Sequence, residues 1–268
     1  RWRRAVRLRR ALRDVPMSTP AFTDDLVTLH HARHQDVSFP AAADLAIIDP
    51  PYGDTSLEWD RISMDWLDTL DQAMRSNGSV WLWGSLRHLL AALPAAEERG
   101  WQMAQDIVWE KHNGSSGAAD RFRRVHEHAV HLYRGRWSDV YIDPQHSLDA
   151  TPRQVRRKQR PAHWGEIGEH AYRTDAGGPR LLRSVMYERS DHGRAIHPTQ
   201  KPVGITRTLI QYACPPDGVV IDLFAGSGTT LVAARQAGRR AVGSEEHEPY
   251  ITRTVTRLGQ GDLLAVGS

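Results

Sequence analysis

Asp49-Pro50-Pro51-Tyr52-Gly53 follows directly on the apolar run Leu45-Ala46-Ile47-Ile48. Neither proline can donate to a sheet ladder, so the strand predicted by the apolar run ends at Asp49. A carboxylate and an aromatic ring are left flanking a stiff elbow, either a plain strand exit or a small piece of chemistry. A second candidate lies far downstream, in VVIDLFAGSGTTLVAARQAGRRAVGSEEHEPY (219–250). There an apolar strand delivers Asp222, and Ala225-Gly226-Ser227-Gly228 turns the chain into a helix beginning at Thr229. Glycines permit close backbone approach to a ligand, and the free N–H groups of the helix start face it. The next strand ends near Glu245, 23 residues beyond Asp222, where an acid is placed to hydrogen-bond a ribose.

This pattern describes a nucleoside-cofactor site in a Rossmann-like unit. The turn is not the dinucleotide fingerprint G-x-G-x-x-G, because Leu231 stands where the third glycine would be. Nor is it a phosphate-binding P-loop, since no Gly-Lys-Ser/Thr follows. The turn therefore suits a ligand without a pyrophosphate.

The elements that must position these residues alternate along the chain. Strands are predicted at 26–30, 45–49, 79–84, 105–111, 127–134, 219–224 and 240–243. Helices are predicted at 64–75, closed by Asn77-Gly78, and at 86–98, 203–213 and 229–236. The rhythm predicts an α/β fold with a doubly wound, mostly parallel sheet. Periodicity fails between 137 and 196, where Pro, Gly and Arg dominate. Residues 151–196 hold ten Lys or Arg against five Asp or Glu, and a segment of that length is read as an inserted substrate-facing lobe or a surface loop.

Composition bounds the rest. The chain has 268 residues, 40% of them hydrophobic and 25% charged, values typical of globular domains. No apolar run approaches the ~20 residues of a membrane span. The single cysteine, Cys214, excludes an intramolecular disulfide and fits a reducing, cytoplasmic setting. It reads as a core or surface thiol. Residues 1–16 carry seven Arg and one Asp within an overall net charge of +3. Met17 reads as a natural start, with the basic stretch before it as an extension outside the fold and 17–268 as the domain. The histidines of VHEHAVH (125–131) read as surface or DNA-facing groups, since their spacing does not pair metal ligands on a helix. Trp137 and Trp164 fall in the irregular basic region.

Three segments taken in order, DLAIIDPPYG, HPTQKPVGITRTLI and VVIDLFAGSGTT…GSEEHEPY, resemble the beta group of amino-directed DNA methyltransferases. VWEKHNGSSGAADRFRRVHEHAVHLYRG (108–135) is similar to the middle of that family, so the likeness spans roughly 26–257. It implies a class I methyltransferase fold with permuted motif order, S-adenosyl-L-methionine as cofactor and double-stranded DNA as substrate. Asp49, Pro50, Pro51 and Tyr52 would be the catalytic element. Asp222, Phe224, Ala225, Gly226, Ser227, Gly228, Thr229 and Glu245 would bind the cofactor. His197, Pro198, Thr199 and Lys201 would close over its carboxylate end. The segment 137–196 would be a target-recognition lobe, with Arg153, Arg156, Arg157, Lys158, Arg160 and Trp164 toward DNA and no metal.

The mechanism implied is direct transfer. An exocyclic amine conjugated to a base is a weak nucleophile because its lone pair is delocalised. Asp49 and the Pro50 carbonyl would accept its hydrogen bonds and localise the lone pair, in an arrangement preorganised by the prolines. Tyr52 would stack on a base extruded from the duplex. Asp at the first motif position favours adenine N6, with cytosine N4 the alternative; a catalytically silent DNA-binding module and an RNA methyltransferase are further readings. Two departures stand out: Ala32 and Arg33 occupy the place of a Gly-Asp step, with Asp36 as a substitute acid, and Leu182 stands where a proline is common. The recognition sequence, a homodimer and a cognate restriction endonuclease are left open.

Overall fold

The structure, a computed structural model, describes residues 18–54, 60–115, 120–157, 170–190, 196–197 and 199–260. The basic residues 1–16, together with Lys158, Arg160, Trp164 and Pro198, lie outside them, as do the side chains of Arg156 and Arg157.

The chain runs β1 (Pro20–Thr23), β2 (Val27–His31), β3 (Ala43–Ile48), α1 (Trp66–Ala73), β4 (Met74–Gly84), α2 (Leu86–Glu97), β5 (Gln102–Ser115) and β6 (Arg124–Tyr133). After that come β7 (His146–Ser147), β8 (Arg153–Arg157), β9 (His170–Thr174), β10 (Arg180–Leu181) and β11 (Val185–Tyr187). The last stretch is α3 (Val203–Ala213), β12 (Val219–Asp222), α4 (Thr229–Gln236), β13 (Arg240–Glu245) and α5 (Glu248–Gly259).

Nine strands form one sheet in the order β1-β2-β13-β12-β3-β4-β6-β5-β11. The five from β2 to β4 are parallel, while β6 runs antiparallel between β4 and β5. Every residue of β3 is buried, as expected of a central parallel strand covered on both faces. Side chains alternate across the pleat. Leu45, Ile47, Trp81 and Trp83 face a core built with Leu209 and Ile210 of α3, Leu231 of α4 and Leu258 of α5. Ala46, Ile48, Val80 and Leu82 face a second core with Trp66 and Leu70 of α1 and Leu89 of α2.

The two layers meet between β12 and β3, which pair in parallel with Val220 opposite Leu45. From β12 the chain crosses through α4 to β13 on one side; from β3 it crosses through α1 to β4 on the other. Ligands of doubly wound folds bind beyond the strand ends at such a reversal. Both candidate motifs emerge there, Asp49 after β3 and Asp222 at the end of β12.

Two expectations need correction, and one element was not predicted. The helix predicted over 64–75 ends at Ala73, because Met74 already pairs with Ala43 in the sheet and β4 passes straight through Asn77-Gly78. His131, read as a surface histidine, is fully buried and stacked 4.6 Å from Trp81; burial pushes its imidazole down to about 4. The helix α5 has no counterpart in the predicted elements.

Within 137–196 the described residues form two small ribbons, β7 with β10 and β8 with β9. The strand β11 joins the main sheet beside β5. Glu188, just beyond it, accepts from the N–H of Ile205 at 2.8 Å and of Gly204 at 3.2 Å, capping α3 from outside the helix. Of the two readings of Cys214 the core one holds: the residue is buried, and that burial pushes its thiol up to about 12.

Candidate active site

A cavity of about 380 Å3 opens at the strand reversal, within the range of small-molecule sites. Asp49, Pro50, Pro51 and Tyr52 line one side. Asp222, Phe224, Ala225, Gly226, Ser227 and Thr229 line the other, with Glu245, His197, Thr199 and Lys201 also on the wall. Residues separated by nearly the whole chain therefore share one site. Arg153 on β8 is not part of its lining.

The glycine turn is held by backbone geometry and by α5. Gly226 and Gly228 have φ of +50° and +70°, in the left-handed region where a Cβ is strained. Thr254 donates to the Gly226 carbonyl at 2.8 Å, and Arg257 to the Ser227 carbonyl at 2.8 Å. A Cβ on Gly228 would meet Thr254 Cγ2 at 2.5 Å, so only glycine lets the turn lie against this helix.

Glu245 faces the turn from the end of β13. One of its oxygens accepts the Gly226 N–H at 2.8 Å and the other the His247 N–H at 2.8 Å. Each oxygen keeps a lone pair for a ligand hydroxyl. Burial raises its carboxyl, against the lowering by the two backbone N–H groups. Asp222 accepts from the Phe224 N–H at 2.9 Å. Burial pushes its carboxyl up to about 7, with the charges of Asp49 and Glu245 adding.

At the elbow, the Tyr52 hydroxyl donates to one oxygen of Asp49 and the Lys201 ammonium to the other. Tyr52 is thereby tied to Asp49 and kept protonated by burial first and then by that carboxylate. The N–H of Gly53 is bound by the buried Asp60 at 2.7 Å, which fixes the exit of the elbow. Lys201, expected at the carboxylate end of a cofactor, spends its ammonium instead on Asp49 and on Glu127, 3.2 Å away. Burial would lower its pKa, but the two carboxylates outweigh it and raise the value.

His197 packs against Tyr250 with tilted rings, 4.2 Å between centroids. Its imidazole is pushed down to about 4 by burial and by the Lys201 charge, and stays neutral. Where the Gly-Asp step is missing, Ala32, Arg33 and His34 line the cavity. His34 sits edge-on to Phe224 at 5.2 Å, its Nδ1 2.8 Å from the Thr69 hydroxyl. Asp36 is exposed and outside the lining. Among the groups the motifs miss are Glu127, Asp60, His34 and Tyr250. His34, Asp60 and Tyr250 line the cavity, while Glu127 reaches it only through Lys201.

The fold is a Rossmann-like doubly wound sheet with the cavity at its strand reversal. The M1.HpyAVI–SAM complex superposes with a TM-score of 0.59 at 21% identity, covering 87% of this chain and 100% of that one. PvuII DNA methyltransferase (cytosine-N4-specific) superposes at 0.62 and 16% identity, covering 90% and 89%. The family follows from the sequence match: the DNA methylase model aligns with residues 43–256, and the chain belongs to that family. Curated relatives include the Type II methyltransferases M2.LlaDCHI of Lactococcus lactis subsp. cremoris and M2.DpnII of Streptococcus pneumoniae. Each is 24% identical, over 92% and 91% of this chain and 94% of either relative. No helix among the described residues is long and apolar enough to cross a membrane.

Proposed function

We propose that the protein is a site-specific DNA methyltransferase that uses S-adenosyl-L-methionine to methylate the N6 amine of adenine in double-stranded DNA. One observation carries this reading: the Asp49 elbow and the Gly226–Gly228 turn open into the same cavity. The residues present fit the cofactor. The turn exposes backbone to a nucleoside without demanding a pyrophosphate, and Glu245 suits a ribose. Asp222 offers a carboxylate to the cationic methionine end.

When bound, the cofactor supplies an electrophilic methyl group on a sulfonium. The chain's own residues prepare the amine. Asp49 has two lone pairs on each oxygen and uses one on Tyr52 and one on Lys201, so it can still accept from a target N–H. The Pro50 carbonyl offers a second acceptor, fixed by two consecutive rings. Together they favour a pyramidal nitrogen with a localised lone pair. Tyr52 and the Phe224 side of the cavity supply apolar surface, and an extruded base must replace its lost stacking.

Asp at the head of the Asp49–Tyr52 element supports adenine over cytosine. The basic ribbon β8–β9 supports a role in holding DNA, with 137–196 as the recognition lobe. Expression in a methylation-free host, followed by single-molecule sequencing for modified bases, tests the reading. N6-methyladenine in one sequence context is expected, and it should vanish with Asp49→Ala. N4-methylcytosine would reassign the amine, and DNA with no modified base would overturn the activity.

A further inference from the structure

Glu127 projects from β6 toward the elbow, its side chain 11% exposed. One carboxylate oxygen ion-pairs with Lys111 of β5, and the other lies 3.2 Å from the Lys201 ammonium. Lys201 in turn holds Asp49, and Asp49 accepts from Tyr52. Lys111, Glu127, Lys201 and Asp49 therefore form a row of alternating charges ending at the Tyr52 hydroxyl. Burial of Glu127 would raise its carboxyl, but Lys201 and Lys111 outweigh that and hold it at about 2. Glu127 stays ionised at neutral pH.

The arrangement answers a conflict inside the site. A buried Lys–Asp pair in isolation would tie the ammonium wholly to Asp49 and weaken the carboxylate as an acceptor. It would also place a positive charge beside a target nitrogen that becomes cationic as it gains a methyl group, before shedding a proton. A second carboxylate on the far side of Lys201 shares the ammonium, and Lys111 balances that carboxylate, so the four charges sum to zero. The ion pair at 3.2 Å also fixes where the ammonium sits, and through it one oxygen of Asp49.

We infer that Glu127 is a positioning residue for methyl transfer, acting through Lys201 to orient Asp49 and to preserve its strength as the acceptor for the target amine. The inference rests on the amino-methyltransferase reading above.

Glu127→Gln keeps the shape and removes the charge. At saturating cofactor and DNA, single-turnover methyl transfer should slow by about tenfold or more, with cofactor Kd within about twofold of wild type. Because Glu127 acts through Lys201, the double variant Glu127→Gln/Lys201→Gln should be no slower than Lys201→Gln alone. A contribution of Glu127 independent of Lys201 predicts instead that the two losses multiply. Lysine-selective 13C NMR gives a readout independent of activity, in which Glu127→Gln should lower the Lys201 pKa. Wild-type rate in Glu127→Gln, a double variant slower than Lys201→Gln alone, or an unshifted Lys201 would overturn the inference. Absence of methyl transfer by the wild type, with Lys201 shifted as expected, would overturn the underlying activity and leave the charge coupling standing.

Discussion

Lys201 rests its ammonium on the carboxylate of Asp49, 152 positions earlier in the chain. The lysine is only 6% exposed and Asp49 24%, so the pair is screened weakly and joins the two motif-bearing halves of the site. Removing one partner of a buried pair leaves the other uncompensated. Lys201→Met should therefore lower stability by about 3 kcal/mol and slow methyl transfer by roughly 100-fold. Denaturant unfolding and single-turnover assays read the two effects. A variant within a factor of about two of wild type in rate would remove Lys201 from the catalytic arrangement.

The two glycines of the turn should fail differently. A Cβ at Gly226 meets only the His197 ring at 3.6 Å, ordinary contact, but it enters the cavity lining. Gly226→Ala should cost about 1 kcal/mol of stability, the left-handed penalty alone, with a larger loss in cofactor affinity. Gly228→Ala adds a collision with Thr254 at 2.5 Å and should cost about 3 kcal/mol. Thermal unfolding with and without cofactor separates the two; equal effects on stability would refute the distinction.

Asp222 makes the protein's stability and its cofactor affinity respond to pH in opposite directions. Its carboxyl is raised to about 7 in the folded chain, against about 4 when unfolded. The folded state thus holds a proton that the unfolded state sheds. The cost of this group is absent below about pH 4 and grows as pH rises toward 7, reaching roughly 4 kcal/mol above it. Asp222→Asn should accordingly be more stable than wild type at pH 8, by denaturant unfolding. The cationic end of the cofactor, as placed above, favours the carboxylate. Affinity should then rise by up to about tenfold between pH 6 and pH 8, and Asp222→Asn should lose that dependence. Calorimetric titration at the two pH values checks it, and a wild-type affinity that falls with pH would contradict the placement.

What was legible in the sequence was local. The apolar run 45–48 stopped by two prolines identifies β3, and α3 falls on Val203–Ala213 as its 3.6-residue spacing predicts. The turn at 225–228 reads directly from its glycines. Signals carried by partners far away were not legible. The helix α5 buries only Ile251, Thr254 and Leu258 of its twelve residues, a stripe too polar to stand out. The strand β11 is three residues long and exists because β5 offers an edge to it. Glu127 looks like any strand-end acid until β6 sets it opposite a lysine 74 positions later. Likewise His131 has a surface residue's chemistry, but the register opposite Trp81 places it in the core.

The basic ribbon offers a test that depends on no assigned base contact. Arg153 to Arg157 form β8, paired backbone to backbone with His170 to Thr174, and Lys158 and Arg160 follow directly in sequence. A two-stranded ribbon is a shape that a DNA groove admits, and each phosphate neutralised by a cation releases condensed counterions. If the five cations at 153, 156, 157, 158 and 160 contact phosphates, the logarithm of DNA affinity should fall steeply with the logarithm of salt concentration. Replacing Arg153 and Arg156 by Gln should flatten that slope by about 2 while leaving cofactor affinity unchanged, because Arg153 on the same strand is outside the cavity lining. Fluorescence anisotropy of a labelled duplex across a salt series measures the slope. An unchanged slope would assign the ribbon to solvent and move the search for the DNA-holding surface to the arginines flanking the elbow, Arg61 and Arg124.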